Sequence, residues 1–348
     1  MALKDIHRFA PALAAALLFG LSAPLSKLLL KDISSILLAS LLYLGSGTGL
    51  LFFRALTKAT RPSRKESAIG KNDLPWLAGS ILAGGVAAPI ALFSGLASTP
   101  ASVASLLMNF EGVATAFIAA FVFREACGRK IWAAIFLILI GSAILSFEPD
   151  EWAISIAAMF VLASCIFWGI DNNLTQRISL KDPVEIAMLK GIFAGTISLA
   201  LALILGSGIP ALPVVFSALL LGFFSYGLST AYFVYSLRNL GTSRTSALFG
   251  IAPFIGAAAS FLLLKEQPNV LFTAALPFML AGVYFLFSER HEHTHTHKPM
   301  EHEHPHDKDE YHLHRHDKET MGHFHLHEHA PATHTHRHTP DAHHRHRH

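Results

Sequence analysis

The feature that most constrains this chain is a succession of apolar segments, each close to the length needed to cross a bilayer. A membrane helix needs roughly 20 apolar residues. Runs of that order lie at about 9–30, 33–55, 75–97, 100–123, 130–147, 152–172, 184–206, 213–236, 243–264 and 269–288. In hydrocarbon no water satisfies backbone N–H and C=O groups, so runs of this kind are viable as helices that bond within themselves. The sequence therefore predicts an all-α membrane protein of ten transmembrane helices. Lys4 and Arg8 precede the first run, and Leu21-Ser22-Ala23 loosely resembles a cleavage site. The run continues past Pro24 to Leu30, too long for a signal peptide, and reads as the first transmembrane helix.

Composition agrees. Charged residues make up 15% of the chain, against about 25% in soluble domains. The basic residues cluster in alternate loops. Arg54, Lys58, Arg61, Arg64, Lys65 and Lys71 follow the second run, Arg129 and Lys130 follow the fourth, Arg177 and Lys181 the sixth, and Arg238 and Arg244 the eighth. By the positive-inside rule this predicts cytoplasmic termini in a bacterial-type inner (plasma) membrane. A pI of 8.8 is thus explained by membrane-flanking loops and does not indicate nucleic acid. Cys127 and Cys165 have no spacing that suggests a disulfide or a metal pair.

The chain repeats itself. Thr99–Glu125 aligns without gaps to Leu240–Glu266 at an offset of 141, matching Ser102 with Ser243, Ser105 with Ser246, and Arg124-Glu125 with Lys265-Glu266. Gly141 meets Gly282 at the same offset, and Phe19-Gly20-Leu21 resembles Trp168-Gly169-Ile170 at an offset of 149. Five spans per half is an odd number, so equivalent helices point in opposite directions. The expected architecture is two inverted five-helix repeats, residues 1–147 and 148–290, with a substrate path between them near the midplane. Residues 291–348 form a third region, a histidine-rich tail with too few apolar residues to fold alone.

Leu18-Phe19-Gly20-Leu21-Ser22-Ala23-Pro24, with Arg124-Glu125 and Lys265-Glu266 ending the fourth and ninth runs, resembles the EamA-type branch of the drug/metabolite transporter superfamily over residues 9–288. The resemblance implies a ten-helix fold and transport of small solutes such as amino acids, nucleosides, sugars or drugs. Members often carry a proline in the fourth helix where this chain has Glu111, and Asp171-Asn172-Asn173 is more polar than its counterpart Ser22-Ala23-Pro24. A purely apolar substrate fits these departures poorly.

Ionisable groups inside a bilayer cost about 2.5–3.5 kcal/mol at a helix centre on insertion scales, so they face a cavity or a partner. Glu111 lies deepest and is the candidate for proton coupling or substrate contact. Asp171 and Lys190 sit near the same membrane face across a short connection and are placed to pair. Asn109, Asn172 and Asn173 offer amides to a polar solute or to neighbouring helices. Arg124, Glu125, Lys265 and Glu266, repeated at the helix ends, read as gating or structural pairs. Lys27 reads as snorkelling outward. Gly84-Gly85 with Pro89 marks a break in the third helix, and Pro253 and Pro277 mark interruptions of the ninth and tenth.

The tail holds 21 of the 22 histidines. They alternate with other residues at His291, His293, His295, His297, His302, His304, His306, His312, His314, His316, His323, His325, His327 and His329. Neutral imidazole suits nickel, cobalt, zinc and copper, and alternate side chains of an extended chain lie on one side. The tail is expected to be disordered without metal, and titration of histidine near neutral pH offers a second use as a pH sensor.

Three readings follow. The first is a secondary transporter of a small polar solute, proton-coupled, with a regulatory metal-binding tail. The second is a transition-metal transporter whose tail collects the ion. The third is a membrane metal sensor without transport. Before the tail the chain has one histidine, His7, which favours metal as regulator over metal as cargo. No nucleophile–base pair, phosphate loop or cofactor fingerprint points to an enzyme, and no required cofactor is expected. The expected partners are the lipid bilayer, a small-molecule substrate and transition-metal ions at the tail; a homodimer is compatible with the sequence.

Overall fold

The computed structural model describes residues 3–58, 69–123, 128–148, 153–178, 181–240, 248–288 and, in the tail, 291–296, 300–305, 324–329 and 333–338. Among the described residues eight helices are long and apolar enough to cross a membrane: α1 (Phe9–Leu29), α2 (Ser35–Leu56), α3 (Lys71–Ser98), α4 (Ala101–Phe121), α5 (Arg129–Ser146), α6 (Ile156–Gln176), α7 (Val184–Ile204) and α8 (Leu212–Phe233). Two shorter apolar helices follow, α9 (Ala252–Leu263) and α10 (Val270–Phe285). The ten expected spans thus appear as eight of full length and two shorter ones. The start of the ninth expected span, 243–247, lies outside the described residues.

Local chemistry sets the helix ends. Asp182 caps the helix that carries α7, accepting the N–H groups of Val184 and Glu185 at 2.9 and 3.3 Å, with Pro183 in the first turn. A proline there costs no hydrogen bond, because the first-turn N–H groups have no helical acceptor. Arg54 of α2 reaches Asp182 at 3.4 Å and Glu185 at 3.9 Å, and Lys181 reaches Asp73 at 3.3 Å.

Several helices depart from regular geometry. A single residue, Leu21, interrupts α1, and Met108-Asn109 interrupts α4. The expected break at Gly84-Gly85 is instead a continuous π-helical turn, Ile81–Ala87, within α3. A second π-helical turn, Phe223–Leu228, lies in α8, where the sequence gives no Gly-Gly-Pro signal. Single-turn π-bulges often sit at functional sites. Pro253 stands in the first turn of α9 and so begins that helix instead of interrupting it. Pro277 lies inside α10, which continues through it.

Without a hydrophobic force between lipid-immersed helices, close packing and small residues hold the bundle. The contacts recur at the offsets read from the sequence. A Cβ on Gly141 would touch Met279, and one on Gly282 would touch Ile138; Met279 less 141 is Ile138. A Cβ on Gly20 would meet Ile255 at 3.0 Å, and one on Gly169 would meet Ala114 at 2.8 Å; these pairs correspond at 149 and 141. Backbones approach closely where α2 meets α7. A Cβ on Gly47 would lie 2.5 Å from the amide nitrogen of Ile192, and one on Gly191 would lie 2.5 Å from that of Gly47.

Two short strands, β1 (Phe147–Glu148) and β2 (Ala153–Ile154), pair antiparallel between α5 and α6. The tail belongs to a separate unit, Arg290–Thr339. Its described backbone pairs in two antiparallel ladders: β3 (His291–Thr296) with β6 (Thr333–His338), and β4 (Met300–Pro305) with β5 (Phe324–His329). Alternation with period two is compatible with extended pairing. The side chains of all fourteen candidate metal ligands lie outside the described residues.

Candidate functional site

The polar cluster builds from the α6 end of the bundle. Asp171 is buried, and its oxygens accept from Lys190 Nζ at 2.7 and 2.6 Å. Ser80 Oγ donates to Asp171 Oδ1 at 2.5 Å and Thr175 Oγ1 donates to it at 2.8 Å, with Ser80 and Thr175 2.9 Å apart. The expected pairing of Asp171 with Lys190 is therefore present, and two hydroxyls that the sequence did not single out complete it. Charged partners so placed meet the general condition for a tolerated buried carboxylate.

Gly84 makes room for this carboxylate. A Cβ at that position would collide with Asp171. The π-helical turn also frees a carbonyl. The Ala88 N–H bonds to the Ala83 oxygen, and residue 89 is proline, with no N–H to offer. The Gly84 oxygen accepts instead from Tyr43 Oη at 2.7 Å and Trp168 Nε1 at 3.2 Å. Tyr43 packs on Tyr226 with ring centroids 5.4 Å apart, and Phe19 packs on both Trp168 and Tyr226, at 6.3 and 6.0 Å. The aromatic cluster thus draws from α1, α2, α6 and α8.

Glu111 occupies the next position along. It begins the second part of α4, after the interruption at Met108-Asn109. Asn172 Nδ2 donates to Glu111 Oε1 at 2.8 Å and to Thr115 Oγ1 at 3.1 Å. Asn173 Nδ2 donates to the Thr115 carbonyl at 3.1 Å and to the Gly169 carbonyl at 2.8 Å. The structure therefore brings together Glu111, Asp171, Asn172, Asn173 and Lys190. Asn109 stands apart: its amide closes its own helix end on the Leu106 carbonyl at 3.0 Å.

A second cluster lies at the α3–α4 turn. Glu266 accepts the N–H groups of Ala101 and Ser102 at 2.7 and 2.9 Å, at the start of α4. A carboxylate there satisfies donors that lack helical partners and complements the helix dipole. Lys27 lies beside the end of α3. Its Nζ donates to the carbonyls of Leu96, Ala97 and Thr99 at 2.5, 2.9 and 2.9 Å, at the end of α3. Lys265, exposed, takes a left-handed backbone with φ 55° as the chain turns toward Glu266. Arg124 and Glu125 lie outside the described residues.

An apolar cavity lies elsewhere. It measures about 730 Å³ and runs between α9 and α10 past Phe254, Phe261, Phe272, Leu276 and Tyr284. It carries no ionisable group from the cluster above.

An all-helical bundle of bilayer-length apolar helices, with its ionisable side chains paired inside, defines an integral membrane protein. The chain belongs to the EamA-like transporter family, whose model matches twice, over residues 10–147 and 155–288. It is 30% identical over 300 residues to an uncharacterized transporter of Methanothermobacter thermautotrophicus, covering 82% of this chain and 87% of that protein. It is 26% identical over 212 residues to a probable amino-acid metabolite efflux pump of Salmonella typhimurium, covering 53% of this chain and 67% of that one. A crystal structure of a protein 16% identical shares the fold with a TM-score of 0.58, over 80% of this chain and 97% of that one. The protein is thus a membrane transporter, which places it in a lipid bilayer with a small-molecule substrate.

Proposed function

We propose that this transporter moves a small polar solute by alternating access between two inverted five-helix halves, with Glu111 as its proton-coupling carboxylate. The observation that carries the reading is the meeting of Glu111 from the first half with Asn172 from the second, beside the buried Asp171–Lys190 pair. A carboxylate in the middle of a membrane helix is costly unless it has work or a partner. Here its amide partner comes from the opposite half, so moving one half against the other changes the surroundings of the carboxylate. The twofold match of the family model and the recurrence of glycine contacts at fixed offsets support the inverted repeat. The name of the Salmonella relative supports a solute of the amino-acid class.

Glu266 and Lys27 act, in this reading, as a clamp on the α3–α4 turn that holds one mouth shut, and Arg124-Glu125 with Lys265 serve the same role at the helix ends. The basic loops support cytoplasmic termini in an inner (plasma) membrane. The histidine tail binds nickel, cobalt, zinc or copper and regulates transport in response. Its alternating pattern supports this, because alternate positions of a strand share one face.

Proteoliposome uptake with an amino-acid panel and a metal panel tests the proposal. The expected result is uptake of an amino-acid-class solute that depends on a pH gradient and is lost in Glu111→Gln. Metal uptake that survives removal of residues 291–348 but is lost in Glu111→Gln would replace this reading with metal transport.

A further inference from the structure

The end of α6 carries a cation that no carboxylate answers. Arg177 caps this helix, where its charge complements the helix dipole. Its guanidinium carbon lies 4.6 Å from the ring centre of Phe123, just past the end of α4. It lies 5.7 Å from the ring centre of Trp76, near the start of α3. A cation within about 6 Å of a ring centre is attracted by the negative face of the ring. Rings from two other chain segments thus hold one long, otherwise mobile side chain.

Stacking uses the faces of a guanidinium and leaves its edge. That edge carries five N–H donors in a planar fork that matches carboxylate and phosphate oxygens. Among the described residues, Arg177 has no ion pair and no side-chain hydrogen bond. Asp73, three residues before Trp76, pairs instead with Lys181 at 3.3 Å.

The surroundings favour an anion. The α2–α3, α4–α5 and α6–α7 connections fall on one membrane face, because each pair of spans returns the chain to it. On that face Asp73, Asp182 and Glu185 all have cation partners. Lys71, Arg129 and Arg177 are exposed. Apolar groups flank the two rings along the chain: Leu74 on α3, and Phe121 and Val122 at the end of α4, are exposed, as is Trp76 itself. Free N–H donors beside exposed hydrocarbon suit an amphiphile, and tryptophan is enriched at this depth of a membrane.

We propose that Arg177, held by Phe123 and Trp76, binds the phosphate of an anionic phospholipid, whose acyl chains cover the exposed apolar groups beside it. A zwitterionic lipid fits less well, because its ammonium group would meet the unpaired positive charge of this face. The bound lipid ties the ends of α3, α4 and α6 together. The site is independent of the transported solute and of Glu111, since lipid binding is measurable without either.

The purified full-length protein is melted in mixed micelles containing phosphatidylglycerol or phosphatidylcholine, and in plain micelles with inorganic phosphate. Phosphatidylglycerol is expected to raise the unfolding midpoint saturably above the phosphatidylcholine value, on the order of a few degrees. Inorganic phosphate should have no such effect. Arg177→Gln is expected to lose most of this preference, measured against its own midpoint without lipid. Arg177→Lys keeps the charge and the stem but loses the planar fork, and is expected to lose at least about half of the preference. Arg54→Gln removes a cation of the same face that is already engaged by carboxylates, and should retain the preference. Equal midpoints in the two lipids, or a preference kept in full by Arg177→Gln or Arg177→Lys, would overturn the proposal. A rise with inorganic phosphate equal to that with phosphatidylglycerol would also overturn it, in favour of a site for free phosphate.

Discussion

Ser22-Ala23-Pro24 of α1 and Asp171-Asn172-Asn173 of α6 occupy corresponding places in the two segments matched by the family model, yet they solve the same local problem in opposite ways. In α6 the carboxylate takes a lysine and two hydroxyls, and the two amides cross to α4. In α1 a serine hydroxyl stays without a partner, an alanine leaves space, and a proline withdraws a donor. Similar backbones thus carry a charged, cross-linked junction on one side and a sparse, neutral one on the other. The difference teaches that a repeated scaffold need not have two equal sites.

The largest effect should come from unbalancing the charged side. Lys190→Met leaves Asp171 buried without its cation, a change that typically costs about 3–5 kcal/mol. Thermal melting of the purified protein should show it as a steep fall, with partial recovery in Lys190→Met/Asp171→Leu. Recovery equal to zero would mean that Lys190 supports the fold through something besides the pair. Gly84→Ala should be nearly as severe, because its methyl group collides with Asp171. A milder clash is expected at Gly227, where a Cβ meets backbone atoms of Ser46 at 3.3 Å. Gly227→Ala should therefore lower the melting midpoint, but by much less than Gly84→Ala.

Glu111→Gln should leave melting almost unchanged, since the amide oxygen still accepts from Asn172, while gradient-driven uptake falls at least about tenfold, equivalent to about 1.4 kcal/mol. Unaltered uptake would move the coupling group elsewhere. Asn172→Ala removes a single amide link to Glu111 and Thr115 and should cost about 1 kcal/mol. The smallest effect is expected for Gly208→Ala, where a Cβ meets nothing within 4 Å. A measurable loss there would show that the α7–α8 connection does more than link helices.

Much of the charged side was legible in the sequence. Carboxylates and lysines are so costly in hydrocarbon that Glu111, Asp171 and Lys190 stand out against their apolar neighbours. The pairing of Asp171 with Lys190 followed from a short loop between adjacent helices. Ser80, Thr175, Tyr43 and Trp168 were not legible as partners, because hydroxyls and aromatics are ordinary in membrane helices and only packing decides which of them converge. The partners of Lys27 were not legible either, because nothing in the sequence says that the end of α3 offers it three carbonyls. The π-helical turn of α8 gave no compositional sign, since Phe223–Leu228 lacks the Gly-Gly-Pro pattern that marked α3.

The glycine seam between α2 and α7 has a mechanical consequence. Where Gly47 and Gly191 bring two backbones together, no long side chains remain to cushion a slide along the seam. In the alternating-access reading proposed above, movement of one half against the other at this seam is a pivot, with the seam as fulcrum and the remaining helices as lever arms. A tilt of a few degrees at such a fulcrum, barely registered by the glycines, becomes a displacement of ångströms at the rims of the bundle.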